Sequence, residues 1–193
     1  MASIELKKGT SISLKKNTPT LRKVRVCLGW DTSKAVGDVD LDVSAFGLEL
    51  SSCKPLLLND DYFVFYNHLT TNNGSIVHAG DNRVGGSEGD DEIIFVTLDD
   101  VDPKIGEIAF IVTIYNDAVV HTFKDVKNSY IRIVDEATDH EIAKYSLGDN
   151  FGGNLAVQFG SLVRNKTDWE FVAVGAGYNV GLEQILNQYG INL

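Results

Sequence analysis

Cysteine, histidine, basic residues and long apolar runs are all scarce in this chain, and each scarcity removes a class of protein. Cys27 and Cys53 are the only cysteines. Two cannot build a disulfide framework, and Cys27 sits in an apolar strand pattern where a free thiol behaves as a small hydrophobe. The four histidines, His68, His78, His121 and His140, are scattered, and no Cys/His set stands at zinc-ligand spacing. No stretch approaches the ~18 apolar residues of a membrane span. The N-terminus lacks the apolar core of a signal peptide, and Ala2 excludes N-myristoylation. A cytoplasmic protein without a transmembrane segment is therefore expected. The formal net charge is −10. A phosphate backbone needs a basic footprint, so nucleic acid is not the expected partner, whereas cations or basic partners fit. A Walker-type lysine loop and a Cys-x-x-Cys motif are also missing. With no visible nucleophile–base pair, the expectation is a protein that is not an enzyme.

What is present reads as one domain, residues 1–193, long enough to bury a core without staples. Its charge is uneven. Residues 1–25 hold seven bases and one acid and sum to +6, which leaves −16 for the other 168. The basic segment reads either as an edge hairpin whose lysines discourage edge pairing or as a docking surface.

Short apolar segments recur between turn signals. Leu21 to Leu28 alternates, with Val24, Val26 and Leu28 on one face. Val39 to Phe46 sets Leu41, Val43 and Ala45 against Asp40, Asp42 and Ser44. Phe63 to Tyr66 is a compact aromatic strand, Asn73-Gly74 marks a hairpin turn, and Ile76 to Ala79 returns from it. Ile93–Leu98, Ile108–Tyr115, Tyr130–Val134, Leu155–Val163 and Trp169–Val174 complete the strands. Two short helices are predicted. Thr122 to Val126 offers an N-cap threonine, and Leu182 to Tyr189 carries one apolar stripe closed by Gly190. Many short strands with few helices predict a mainly all-β, two-sheet antiparallel sandwich.

The informative residues are carboxylates. Asp38, Asp40 and Asp42 alternate, which puts them on one strand face about 7 Å apart. A second group, Asp81, Asn82, Glu88, Asp90, Asp91 and Glu92, surrounds the flexible glycines Gly85, Gly86 and Gly89, with only Arg83 as counter-charge. Such crowding is either a solvated face or a site that needs a counter-ion or raised pKa values. If it is a site, oxygen-only ligands on a flexible loop suit Ca²⁺ better than Mg²⁺. The segment Asp81 to Glu92 has the length of an EF-hand loop, but Arg83 and Gly85 stand where ligands belong and the flanks read as strands.

Several segments together resemble a known family. Gly29-Trp30-Asp31, Asp40-Leu41-Asp42-Val43-Ser44-Ala45-Phe46, Phe65-Tyr66-Asn67 and Gly80-Asp81-Asn82-Arg83 carry the likeness. Gly89-Asp90-Asp91-Glu92, Ile131-Arg132-Ile133-Val134-Asp135 and Gly175-Ala176-Gly177-Tyr178 with Gly181-Leu182 continue it across nearly the whole chain. In order and spacing these segments resemble the TerD family of tellurite-resistance and stress-response proteins. The resemblance implies a β-sandwich that binds one or two Ca²⁺ ions. It places Asp31, Asp40, Asp42, Asn67, Asp81, Asn82, Asp90, Asp91 and Glu92 on the metal-binding motifs. It also implies paralogous stress-response proteins and membrane-associated proteins as partners. Two positions depart from the pattern: His68 where a second Asn is common, and Ser161 where an acid is common. The function expected is a calcium-dependent protein-interaction module. Ca²⁺-bridged phospholipid docking and a metal-dependent hydrolase are the rivals.

Overall fold

The computed structural model describes residues 3–32, 39–50, 54–83, 89–115, 120–147, 151–166 and 168–191. In chain order the strands are β1 (Ile4–Glu5), β2 (Ser11–Ser13), β3 (Lys23–Thr32), β4 (Leu41–Leu50), β5 (Pro55–Leu57), β6 (Phe63–Val64) and β7 (Ile76–His78). They continue as β8 (Glu92–Thr97), β9 (Ile105–Ile114), β10 (Val126–Asp135), β11 (His140–Ser146), β12 (Ala156–Asn165) and β13 (Asp168–Tyr178). The helices are α1 (Leu14–Asn17) and α2 (Leu182–Gln188).

The strands form two sheets. The first runs β1-β11-β10-β3-β8-β7, the second β2-β13-β12-β9-β4-β5, with β6 also paired to β4. The predicted two-sheet, mainly β architecture is what forms. All named pairings are antiparallel except β1 with β11, where the two-residue β1 runs parallel along the sheet edge.

Alternation explains the main core. Val24, Val26 and Leu28 of β3 meet Leu41, Val43 and Ala45 of β4 between the sheets, together with Ile94, Val96 and Phe110. The opposite face of β4 is not solvated as a simple sandwich would suggest. Phe46, Leu48, Ala109 and Ile111 form a second cluster covered by Ile185 and Leu186 of α2. Each of the phenylalanine, leucine and isoleucine side chains buried there contributes roughly 1.5–3 kcal/mol over leaving it exposed. The predicted stripe therefore does its packing on the outside of the second sheet. Gly190, at φ +90°, ends α2: its N–H donates to the Asn187 carbonyl, and the Ile191 N–H donates to that of Leu186. That is the Schellman pattern.

Three local expectations differ. The Asn73-Gly74 turn exists, with Gly74 at φ +69° and its N–H donating to the Thr71 carbonyl. It does not join a hairpin of Phe63–Tyr66 with Ile76–Ala79, because β6 pairs β4 in one sheet and β7 pairs β8 in the other. The aromatic strand stops at Val64, since Phe65 and His68 exchange backbone hydrogen bonds of 3.0 Å and close a tight turn with Tyr66 and Asn67 at its tip. The expected helix at Thr122 is a 3₁₀ turn, Phe123–Asp125, held where the Thr122 N–H donates to Asp125 Oδ2. Helix α1 carries no strong sequence signal beyond its N-cap, Ser13, whose hydroxyl accepts from the Lys16 N–H. Among the described residues no helix is long and apolar enough to cross a membrane.

Candidate cation site

At one end of the sandwich the start of β4, the end of β9 and the segment after β7 converge. Strand register brings Asp42 opposite Thr113, and the Tyr115 N–H donates to the Asp40 carbonyl at 3.0 Å. Gly80, at φ +118°, turns the chain after β7 so that Asp81 faces the same point. Carboxylate oxygens of Asp40, Asp42 and Asp81 all lie within 4.8 Å of one another. They line a cavity of about 170 Å³ that Tyr66, Arg83 and Tyr115 complete.

The electrostatics of this trio are unresolved within the protein. Asp42 is 5% exposed. Burial first, then the charges of Asp40 and Asp81, push its carboxyl up to about 7. Burial and Asp81 likewise raise Asp40, whose Oδ1 is buried without a hydrogen-bond partner. Among the described residues the cation that lines this cavity is Arg83, 3.1 Å from Asp81 Oδ2 and 80% exposed at its side chain, where solvent screens the pair. It answers one of three charges.

Glu92 and His78 sit beneath, on the core-facing sides of β8 and β7. Glu92 Oε2 accepts the Val43 N–H at 2.6 Å, while Oε1 is buried without a partner. Burial, and to a lesser degree Asp42 and Asp81, push this carboxyl up to about 9 against the pull of the Val43 N–H. At neutral pH it holds its proton. His78 Nδ1 accepts the Gly80 N–H at 3.1 Å, which assigns the ring proton to Nε2. Burial lowers the His78 pKa, so the ring is neutral.

The remaining expected ligands lie elsewhere. Asp31 is exposed and accepts from Asn128 Nδ2 at 2.7 Å. Asp90 is held by Arg132 through two bonds of 2.8 Å, and Tyr130 Oη donates to it at 3.1 Å. Burial alone would raise Asp90; the Arg132 and Cys27 hydrogen bonds outweigh it and lower its pKa. Gly29 makes room for this network, because the Tyr130 ring fills the space a Cβ would take. Asp91 Oδ2 accepts the buried Trp30 N–H at 2.9 Å and straps the loop to β3. Asn67 sits at the tip of the Phe65–His68 turn and lines a neighbouring groove. Asn82 follows Asp81, with its backbone N–H directed at Glu92. Asp38, Gly85, Gly86 and Glu88 lie outside the described residues.

Sequence reasoning missed Tyr66, Tyr115 and His78. The first two carry a usable signal, an aromatic at the end of an apolar strand. His78 follows from the Ile76–Val77–His78 alternation, which puts it on the core face. Ser161 also has a structural account: its hydroxyl donates to Glu107 Oε1 at 2.6 Å, so a carboxylate from the neighbouring strand stands at the position where the resemblance leads one to expect an acid.

Residues 1–189 match a family model described as the TerD domain. The chain is 43% identical to General stress protein 16U of Bacillus subtilis (strain 168), over 99% of each protein. It is 41% identical to Tellurium resistance protein TerD of Serratia marcescens, over 98% of each. Among solved structures it superposes on unknown function protein SAV2460 with a TM-score of 0.68 and 26% identity, over 86% of this chain and 95% of that one. A Streptomyces coelicolor A3(2) protein described as a homologue of telluride resistance protein (TerD) gives the same TM-score at 23% identity, over 90% and 99%, and shares the fold.

Proposed function

The chain belongs to the TerD family, and on that premise we propose that it is a Ca²⁺-binding protein of tellurite and chemical-stress resistance, acting in the cytoplasm as a calcium-dependent protein-interaction module rather than as an enzyme. The observation that carries the cation is the trio Asp40, Asp42 and Asp81, with the buried Asp40 Oδ1 left unpaired. An unsatisfied buried oxygen costs about 1–3 kcal/mol. One divalent ion removes that cost and the mutual repulsion together. The donor set fits: three carboxylates with, among the described residues, no sulfur and no imidazole in the group suit a hard cation. Asp40, Asp42 and Asp81 would hold it, and the ion would supply charge neutralisation that joins β4 to the segment after β7. Paralogous stress-response proteins and membrane-associated proteins are the proposed partners.

Calorimetric titration of chelator-stripped protein tests this reading. Saturable Ca²⁺ binding that is lost in Asp40→Asn with Asp42→Asn supports it. No heat above dilution, or an unchanged isotherm in that variant, refutes it.

One observation favours a second reading. Tyr66 and Tyr115 are 40% and 54% exposed on the rim of the same cavity, and exposed aromatics beside a cation suit Ca²⁺-bridged docking to anionic headgroups. The net charge of −10 opposes it. Sedimentation with phosphatidylserine vesicles separates the two: weak binding with or without Ca²⁺ is expected, and strong Ca²⁺-dependent binding abolished by Tyr66→Ser would promote the membrane reading.

A further inference from the structure

Beside the trio, and separated from it by Tyr66, runs a second and larger concavity of about 880 Å³ between residues 60–72 and α2. Its floor is apolar. Phe63 and Phe65 stack at 4.3 Å between centroids, Tyr66 meets Phe65 edge-on at 5.1 Å, and Leu182 and Leu186 form the far wall. Among the described residues its charged lining is of one sign, Asp60, Asp61 and Glu183, with no lysine or arginine. His68 is engaged within the wall, with Nδ1 2.7 Å from the Phe63 carbonyl and Nε2 3.9 Å from Asp61.

Aromatic faces framed by carboxylates select a cation. A phosphate or a carboxylate ligand would meet three like charges, and a purely apolar segment would strand them. A metal ion is not the occupant: among the described residues the acid group at ligand spacing is Asp40, Asp42 and Asp81, and Asp60, Asp61 and Glu183 are too dispersed to join one. Dispersed charge around a long apolar floor matches an organic cation carried on an extended chain. A planar guanidinium stacks on aromatic rings and forks onto carboxylates, which an ammonium does less well.

We propose that this groove docks an arginine-bearing segment of a protein partner, with the guanidinium over the Phe65–Tyr66 rings and paired to Asp60 or Glu183, and apolar neighbours against Leu182 and Leu186. The inference rests on the interaction half of the function proposed above and not on the cation.

The test is fluorescence anisotropy of the full chain with a fluorescein-labelled peptide of alternating arginine and leucine, at physiological salt, in chelator and again in Ca²⁺. Saturable binding in chelator is expected. Asp60→Asn with Glu183→Gln should weaken it about tenfold, the loss of one charge-assisted hydrogen bond, with an unchanged melting curve. The charge-matched control Glu136→Gln with Asp139→Asn, acids of the β10–β11 turn in the first sheet whereas the groove lies on the outside of the second, should change it less than about twofold, as rim charges elsewhere do. Equal losses in both variants would reduce the effect to net charge and overturn the proposal. So would equal binding of a peptide with glutamate for arginine, absence of saturable binding, or displacement by spermine as effective as by unlabelled peptide. Peptide binding without any Ca²⁺ effect on stability would leave the groove standing and sink the cation reading; the reverse result would sink only the groove.

Discussion

Asp42 is buried and Asp90 half-buried near one end of the same sandwich, and their surroundings drive them in opposite directions. Asp90 receives a bidentate guanidinium and a phenol, so its pKa falls despite burial. Asp42 receives two more carboxylates, so its pKa climbs to about 7. The stretch Gly89-Asp90-Asp91-Glu92 is the denser acidic run, yet each of its acids already has an internal answer: Arg132 for Asp90, the Trp30 N–H for Asp91, and a proton for Glu92. The cation site proposed above therefore rests not on carboxylate density but on a deficit of counter-charge, which is found at Asp40, Asp42 and Asp81.

The sharpest way to break this contrast is pH. Asp42 and Glu92 have folded pKa values raised to about 7 and about 9 from the ordinary 3.8 and 4.5 of free side chains. The folded state thus keeps protons that the unfolded chain releases. Stability from these groups is full below about pH 4 and is lost as pH rises, through about 7 for Asp42 and about 9 for Glu92. In chelator the stability should fall by up to about 1.4 kcal/mol per pH unit for each group inside its window. Urea unfolding from pH 5 to 8 measures it; Glu92→Gln should flatten the upper part of the curve, and a stability that rises over this range would contradict the assignment.

Calcium gives the next largest effect. At a hundredfold excess over Kd, ligand that binds only the folded state adds about 2.7 kcal/mol, or roughly 5–10 °C in Tm for a domain of this size. Because binding needs the ionised forms, the gain should grow from pH 5 to 7 and be accompanied by proton uptake into the buffer. Asp42→Asn should abolish the shift and Asp90→Asn should preserve it. The opposite pattern in a thermal melt would move the site to the denser acidic run.

Asp90→Asn should instead lower the apo stability by about 2 kcal/mol, since Arg132 loses its charged partner while keeping Glu141. Denaturant midpoints with an unchanged m-value would establish this; a stabilised variant would mean that Asp90, like Asp42, was under repulsion. The smallest effect is expected at Arg83. Arg83→Gln removes the cation that competes at Asp81, so Ca²⁺ affinity should rise only about threefold, because solvent screens an exposed charge. A weakened Ca²⁺ isotherm would show that Arg83 supports the site instead of opposing it.

The amino-acid pattern carried a good deal on its own. Period-two alternation through Val24–Leu28 and Leu41–Ala45 placed the inner faces of both sheets, because a strand with one buried face has no other way to satisfy its side chains. The stripe on Leu182–Tyr189 and the glycine after it placed α2. The oxygen-rich composition of the acidic segments pointed to a hard, oxygen-liganded cation, which the titrations above test. Where α2 docks was not legible, since an amphipathic stripe states that it is covered and not by what. Nor was the separation of β6 from β7, because a turn motif does not say which sheet each flank joins. The sorting of the carboxylates belonged to tertiary structure alone. Arg132 reaches Asp90 only because β10 and β8 flank β3 in one sheet, in a register that sets Arg132 and Ile93 both opposite Cys27. Counter-charge is a property of positions in space: residues 42 apart in the chain neutralise each other, while Asp40 and Asp42, two apart, are left with Asp81 and a charge that the fold does not resolve.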